Sequence, residues 1–210
     1  MGDCGLGCSP QGTSAGRTNP GQGTLIFWAF VGVLLATGVM RLVELAVSVR
    51  RMRARPDAVV EERWLFPAMA ALHAGLVLLP IVEVVLFART FVLSLGVAAA
   101  VVLVLATALR VWTLSTIGRS WNVRVVRPPE DGIATTGPYA YIRHPNYLVV
   151  VLEILALPLL HAAWLSAIVL SAWNALVLAR RIRTEETALA QSPGWRAAMG
   201  DKARFLPGIF

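Results

Sequence analysis

Charged residues are scarce in this sequence. They make up 15% of its 210 residues, whereas soluble domains carry about 25%. Hydrophobic residues account for 57%, and the mean hydropathy is +0.66. This composition excludes an ordinary soluble domain. It favours a chain that spends most of its length on membrane spans, each of which needs about 20 residues.

The common soluble nucleotide-binding and hydrolase motifs are missing. The sequence has no GxGxxG after a strand, no P-loop, no HExxH and no GxSxG. Cysteine is rare too: Cys4 and Cys8 lie in a Gly/Ser/Pro-rich leader without a neighbouring His or further Cys. We therefore predict no metal site, and any cofactor must be held by helices and loops.

Long apolar runs dominate the rest of the chain and predict about five transmembrane helices. The fourth run is short, and only His161 and Ala162 join it to the fifth, so these two should form a tight antiparallel hairpin. We predict an all-α integral membrane protein with a C-terminal helical hairpin and a cytoplasmic cofactor-binding loop and tail. The predicted spans are Leu25–Val49, Trp64–Phe87, Phe91–Thr113, Tyr147–Leu160 and Ala163–Leu178.

The chain divides into three regions by composition. Residues 1–23 form a leader that we predict to be disordered. Residues 24–116 carry the first three spans, and residues 117–210 form the predicted catalytic region. That last region opens with a long loop, and loops of such length in compact proteins are usually functional or disordered. Its apolar and aromatic residues favour an ordered loop that packs against the helices.

The distribution of basic residues predicts the orientation. Of the 19 Lys and Arg residues, 5 lie between Arg50 and Arg63, 4 between Arg119 and Arg143, and 6 between Arg180 and Arg204. By the positive-inside rule these segments are cytoplasmic and the N-terminus is outside. We expect a multi-pass protein of a bacterial plasma membrane. The net charge of +7 then reflects topology and contact with membrane lipids rather than nucleic acid.

Polar chemistry is concentrated in Gly137–Tyr147, directly before the fourth span. The segment holds an arginine, a histidine, three tyrosines and two prolines. Pro145 favours a helix start, whose free N–H groups attract anions, and Arg143 is suited to a carboxylate. Tyrosine, histidine and arginine are also common membrane-interface anchors, and the segment alone does not separate the two interpretations.

A second polar cluster, Arg180–Glu186, follows the fifth span. Arg181 and Glu185 are one helical turn apart, so a surface ion pair is the simplest interpretation. The adjacent acids could instead hold an amino group or ribose hydroxyls. Because the hairpin brings the start of span four and the end of span five to one side of the membrane, the two polar clusters should be neighbours. That convergence favours a functional site.

Several ionisable residues fall inside the predicted spans, where they are costly and are therefore functional candidates by default. Arg41 and Glu44 should pair with each other. Interhelical hydrogen bonding is an equally good explanation for His73 and Glu83. Glu153 could face the same cavity as His144.

The sequence Arg143-His-Pro-Asn-Tyr147, preceded by Gly137-Pro-Tyr139 and followed by Arg181-Ile-x-x-Glu185-Glu186-x-x-Leu189, resembles the isoprenylcysteine carboxyl methyltransferase family. The resemblance covers residues 114–210. It implies an integral membrane enzyme that uses S-adenosylmethionine. Arg41-Leu-Val-Glu44-Leu, followed by a basic loop and His73, is also similar to bacterial members whose neighbours make lipidic polyketides.

The resemblance also implies roles for individual residues. Arg143, Arg181 and Glu186 are the catalytic candidates. Independently of the resemblance, Trp121 of the long loop and Glu153 of the fourth span are the substrate-side candidates. The cofactor-binding candidates are Gly137, Tyr139, His144, Pro145, Tyr147, Leu148, Glu185 and Glu186.

Methyl transfer to oxygen suits such a site, because positioning supplies most of the catalysis. A carboxylate acceptor is already ionised at neutral pH, whereas a phenol or enol needs a base, for which Glu186 or His144 could serve. The acceptor is expected to be lipidic, entering from the bilayer. The short glutamate run and the ending Phe205–Phe210 depart from the eukaryotic pattern, so the substrate need not be a prenyl-cysteine.

Two other functions compete with the methyltransferase. A membrane reductase of the steroid type shares an HPxY-like region but transfers hydride from NADPH. A non-enzymatic scaffold or transporter would predict inverted repeats or broken helices, which the sequence does not show. The acceptor and the oligomeric state stay open at this point.

Overall fold

The structure, a computed structural model, describes residues 20–53, 65–118, 133–191 and 193–205. Within these ranges every regular element is a helix, and the prediction of an all-α protein is confirmed. A short 3-10 turn, Gly137–Ala140, precedes the fourth helix. The helices are α1 Pro20–Arg53, α2 Leu65–Leu86, α3 Leu93–Ile117, α4 Pro145–Leu159, α5 Trp164–Leu189 and α6 Pro193–Met199.

Four of the described helices, α1, α2, α3 and α5, are long and apolar enough to cross a membrane. The remaining predicted span, the fourth, corresponds to α4, which has 15 residues. At 1.5 Å per residue it measures about 22 Å, less than the roughly 30 Å of a hydrocarbon core. α4 packs against both α3 and α5. It is thus a short helix enclosed by longer ones.

The predicted hairpin is present. A turn at Leu160–Ala162 connects α4 to α5, and the two helices pack side by side. Glu83 of α2 fixes the start of α5, because its carboxylate accepts hydrogen bonds from the backbone N–H groups of Leu165 at 3.1 Å and Ser166 at 2.6 Å. These N–H groups have no partner within their own helix. The structure therefore gives Glu83 a capping role, in line with the hydrogen-bonding interpretation.

Apolar side chains from four helices form the core between α1, α2, α4 and α5. Leu34 and Leu170 are fully buried there, and Leu72, Leu76 and Ile154 are nearly so. The outward faces carry large exposed apolar side chains, such as Leu25, Leu86 and Leu176, which suit a lipid environment.

Helix boundaries differ from the predicted spans, most clearly near the two ends of the described chain. α1 begins at Pro20, so residues 20–23 of the predicted leader are helical. Proline is favoured in the first turn of a helix, which explains a start upstream of the apolar run. α5 ends at Leu189, beyond the predicted fifth span, and a further short helix, α6, begins at Pro193. Cys4, Cys8 and the rest of the leader lie outside the described residues.

Candidate active site

Glu186 of α5 is the centre of a polar cluster at the end of the helical bundle. Its Oε1 lies 3.0 Å from Nε2 of His144 and accepts a hydrogen bond from Arg143 at 3.2 Å. Arg204 donates to Oε2 at 2.8 Å, and these hydrogen bonds to Glu186 raise the pKa of the Arg204 guanidinium. The carboxylate thus has three donors around it. These hydrogen bonds give Glu186 a structural role, so it is a poor candidate for a general base.

Backbone pairing brings Arg204 to this cluster. Ile142 and Ala203 form a parallel bridge, and the backbone N–H of His144 donates to the carbonyl of Arg204 at 3.1 Å. The side chain of Arg143 also donates to the carbonyl of Lys202 at 2.7 Å. The C-terminal segment Lys202–Arg204 is therefore attached along the residues that lead into α4.

Tyr147 connects α4 with α5. Its hydroxyl accepts a hydrogen bond from Nε of Arg181 at 2.6 Å and donates to Glu185. Its ring stacks on His144, with centroids 5.2 Å apart. Arg181 also contacts the Met69 sulfur of α2. The two polar segments of the sequence are neighbours in the structure, and the hydrogen bonds of the Tyr147 hydroxyl join them.

Tyr139 and Gly137 belong to the 3-10 turn at the mouth of the site. Burial, together with the charge of Glu185, raises the pKa of the Tyr139 phenol, so that group stays protonated and can donate a hydrogen bond. Gly137 has φ +57°, and a Cβ at this position would lie 2.4 Å from Oγ1 of Thr116. Only glycine satisfies both the backbone conformation and the close approach.

A cavity of about 570 Å³ extends from this polar cluster into the bundle. That volume is typical of small-molecule sites. Along α2 it reaches from Phe66 to Val77, about 16 Å at helical rise. Its outer end carries the polar side chains together with Trp195 and Met199 of α6, and its inner walls are mostly apolar residues of α1 and α2. One cavity therefore has a polar end and an apolar end.

A buried network of four charges borders the cavity, and two of its members, Arg41 and Glu44, line it. Arg110 of α3 donates to Glu44 and to Glu153, each at 2.7 Å, and Arg41 pairs with the same two carboxylates. Two guanidinium groups and two carboxylates make the network neutral overall, which offsets the cost of burying them. The predicted Arg41–Glu44 pair is present as part of this larger arrangement.

The predicted site residues separate into two groups. Glu153 was expected to share a cavity with His144, but it is not among the cavity-lining residues, and its carboxylate is occupied by Arg41 and Arg110. Trp121 lies outside the described residues. The predicted residues that line the cavity are Tyr139, Arg143, His144, Tyr147, Arg181 and Glu185. Those that do not are Gly137, Pro145, Leu148, Glu153 and Glu186.

Sequence reasoning missed several residues that belong to the site but lie outside the two polar segments of the sequence. Arg204 stands in a short mixed segment whose sequence gives no sign of pairing with Glu186. Met69 is an ordinary apolar residue of a predicted span, and its contact with Arg181 follows only from the packing of α2 against α5. Trp195 belongs to α6, which was not predicted. The one available signal was the aromatic and basic composition of residues 195–205.

Together, the fold and the site define a class of protein. It is a multi-pass helical membrane protein with a polar cavity at one end of its bundle. The sequence profile of the isoprenylcysteine carboxyl methyltransferase (ICMT) family matches residues 98–191. The uncharacterized protein YpbQ of Bacillus subtilis is 32% identical over 169 residues, which is 79% of this chain and 98% of that protein. An uncharacterized protein of Haemophilus influenzae is 31% identical over 90 residues, 42% of this chain and 52% of that protein.

The chain belongs to the ICMT family. Membership implies a membrane methyltransferase. The matched range contains α4, α5 and the polar segments Gly137–Tyr147 and Arg181–Glu186. It does not include α1, α2 or Arg204. The residues that this chain adds to the cavity from α1 and α2 therefore lie outside the family's matched region.

Proposed function

We propose that this protein is an S-adenosylmethionine-dependent O-methyltransferase that acts on a lipidic acceptor. The observation that carries the proposal is that one cavity has both a polar end and an apolar end. A polar methyl donor and an apolar acceptor need such a combined site, with the reacting groups meeting where the two environments join. A carboxylate and a phenol or enol oxygen are the two classes of nucleophile that this site could accept.

The polar end has the side chains that S-adenosylmethionine would require. Glu185 can accept hydrogen bonds from hydroxyl or ammonium groups, and Arg143 and Arg181 can bind a carboxylate. Trp195 and Tyr139 offer aromatic surface next to these charges. The cofactor would supply an electrophilic methyl group on a sulfonium. The chain's own contribution is to bind, orient and exclude water, which accounts for most of the catalysis in such reactions.

The apolar end suits a hydrocarbon chain that arrives from the bilayer. Leu35, Val39 and Leu42 of α1 line the cavity and are also exposed on the outside of the bundle. Ala70 and Ala74 of α2 also line the cavity and are exposed on the outside of the bundle. Residues that face both the cavity and the exterior border a lateral opening. We infer that the acceptor's tail enters between α1 and α2.

The polar end is proposed to face the cytoplasm. Arg50, Arg51 and Arg53 occupy the last turn of α1, and Arg51 donates to the carbonyl of Gly118 at the end of α3, close to the site. Basic residues of this kind favour the cytoplasmic side. S-adenosylmethionine would then reach the cavity from the cytoplasm, while the acceptor comes from the membrane.

The test is binding and transfer with the purified protein in detergent. We expect calorimetry to detect binding of S-adenosylhomocysteine but not of NADPH. We also expect the protein to transfer the labelled methyl group of S-adenosylmethionine to a component of a total lipid extract. Arg181→Ala should abolish both, while His161→Asn, which changes a histidine outside the cavity lining, should leave both intact. Binding of NADPH alone would instead support the membrane reductase, and no ligand binding at all would support a scaffold.

A further inference from the structure

His73 of α2 is a cavity-lining base whose tautomer is fixed by its neighbours. Its Nδ1 lies 2.8 Å from the backbone carbonyl of Met69. A carbonyl oxygen can only accept a hydrogen bond, so Nδ1 carries the proton and Nε2 has a free lone pair. Within the part of the chain that the structure describes, the hydrogen bond of Nδ1 is the one that the His73 ring makes, and Nε2 makes none. The ring is therefore ready to accept a proton or a hydrogen bond from a ligand in the cavity.

The position of His73 places it next to the catalytic candidates. Met69 is one turn earlier on α2, and its sulfur contacts Arg181. His73 thus lies about 6 Å further along α2 towards the apolar end, at helical rise. This depth corresponds to the junction between the polar and apolar parts of the cavity. An acceptor whose tail occupies the apolar end would present its oxygen at this level.

The other bases near the cavity lie at its polar end or within the buried charge network. Glu185 accepts a hydrogen bond from the Tyr147 hydroxyl, and Nε2 of His144 is bound to Glu186. Glu44 is paired with Arg41 and Arg110. Among the described lining residues, His73 is therefore the histidine at the junction of the polar and apolar parts of the cavity, whereas His144 and Glu186, which sequence reasoning had considered, lie together at the polar end.

We propose that His73 is the proton acceptor for a hydroxyl substrate, so that the methyl acceptor is a phenol or enol rather than a carboxylate. The inference rests on the proposed methyltransferase function. The hydroxyl oxygen forms a bond to the methyl carbon, the carbon–sulfur bond breaks with its electron pair staying on sulfur, and the O–H proton passes to Nε2 of His73. The resulting imidazolium returns its proton to water through the open polar end. A carboxylate acceptor would leave this base without a proton to take.

The test uses two acceptors that differ only in the reacting group, meta-pentadecylphenol and meta-pentadecylbenzoic acid. The variant is His73→Asn, because an asparagine amide can still donate to the Met69 carbonyl but cannot act as a base. We expect the variant to bind S-adenosylhomocysteine as wild type does and to lose about 100-fold in kcat on the phenol, the usual size of a general-base contribution. His161→Asn is the matched control and should lose nothing.

A binding measurement without cofactor gives an independent readout. Wild type should bind the phenol about 10-fold more tightly than its methyl ether, because only the phenol can donate a hydrogen bond to Nε2. In His73→Asn this preference should disappear. The binding result decides the inference even where turnover of these synthetic acceptors is slow.

Three outcomes would overturn the inference: equal binding of phenol and ether by wild type, an unchanged kcat of His73→Asn on the phenol, or wild-type methylation of the acid but not of the phenol. Failure of the proposed function looks different, since wild type would then not bind S-adenosylhomocysteine at all.

Discussion

The carboxylates of Glu185 and Glu186 are adjacent in the chain but serve different partners. Glu185 lines the cavity and accepts a hydrogen bond from the Tyr147 hydroxyl. Glu186 does not line the cavity, and its carboxylate is bound by Arg143, His144 and Arg204. Successive residues of a helix point about 100° apart, which permits this division. One acid is available to a ligand, and the other holds the C-terminal segment against the start of α4.

Neutral substitutions should separate these two roles. Glu186→Gln leaves its three donors around an uncharged amide, so we expect a free energy of unfolding lower by about 2 kcal/mol, the scale of hydrogen bonds to charged groups. Glu185→Gln should keep most of that stability but bind S-adenosylhomocysteine about 10-fold more weakly. Thermal unfolding and calorimetry in detergent measure both. Arg183→Gln on the exposed face of the same helix is the control. Identical profiles for the two glutamate variants would contradict the division.

Tyr147→Phe tests the hydrogen bonds that join α4 to α5. The ring and its stacking on His144 remain, but Arg181 and Glu185 lose the hydroxyl between them. Because Arg181 is buried, we expect a loss of about 1–3 kcal/mol in the free energy of unfolding. Tyr141→Phe, at a position with 65% exposure, should change nothing. A thermal midpoint equal to that of wild type would show that the hydroxyl contributes no stability.

Much of this arrangement could be predicted because apolar length and charge are properties of the chain itself. The runs that became α1, α2, α3 and α5 are readable without a structure. The short His161-Ala162 connection forces α4 and α5 into a hairpin, and the hairpin brings Arg143 and Glu186 together. Where a short covalent connection alone determines which residues lie close together, the sequence is enough to predict their contact.

The remaining features depend on packing between distant segments. Glu153 looked like a cavity residue because it lies on α4 above His144, but a helix rotation that no sequence pattern specifies directs it to Arg110 of α3. Arg204 reaches Glu186 through backbone pairing of only a few residues, which carries no periodic signal. His73 was visible as an intramembrane histidine, yet its free Nε2 follows from a hydrogen bond and a cavity that only coordinates reveal.

Gly137→Ala should disturb the 3-10 turn that carries Tyr139. The added Cβ would lie 2.4 Å from Oγ1 of Thr116, at a backbone φ of +57° that side chains disfavour. Gly118→Ala is the matched control, because φ there is +55° and a Cβ meets no atom within 4 Å in the described part of the chain. The control should lose about 1–3 kcal/mol for the backbone conformation alone, because φ +55° with ψ −125° lies outside the regions open to residues with a side chain.

We expect Gly137→Ala to lose more stability than Gly118→Ala and also to weaken S-adenosylhomocysteine binding, since the turn must shift to relieve the contact. Equal thermal midpoints for the two variants would mean that the close approach to Thr116 has no energetic consequence.

The buried network of Arg41, Glu44, Arg110 and Glu153 is the last feature open to a direct test. Glu153→Gln removes one of its two negative charges and leaves an unbalanced guanidinium beside the cavity. Removing one partner of a buried ion pair costs about 3–5 kcal/mol, so the thermal midpoint should fall sharply. Combining Arg110→Met with Glu153→Met restores neutrality, because Arg41 and Glu44 still pair, and should recover much of the loss.

The acceptor's KM separates this structural role from the substrate role that the sequence suggested for Glu153. A residue that holds helices together changes the amount of folded enzyme, so kcat and KM per folded molecule should stay close to wild type in the double variant. A residue that touches the acceptor would raise KM in Glu153→Gln while leaving the thermal midpoint unchanged. That second pattern would mean that Glu153 contacts the acceptor, which requires a different orientation of α4 from the one in the structure.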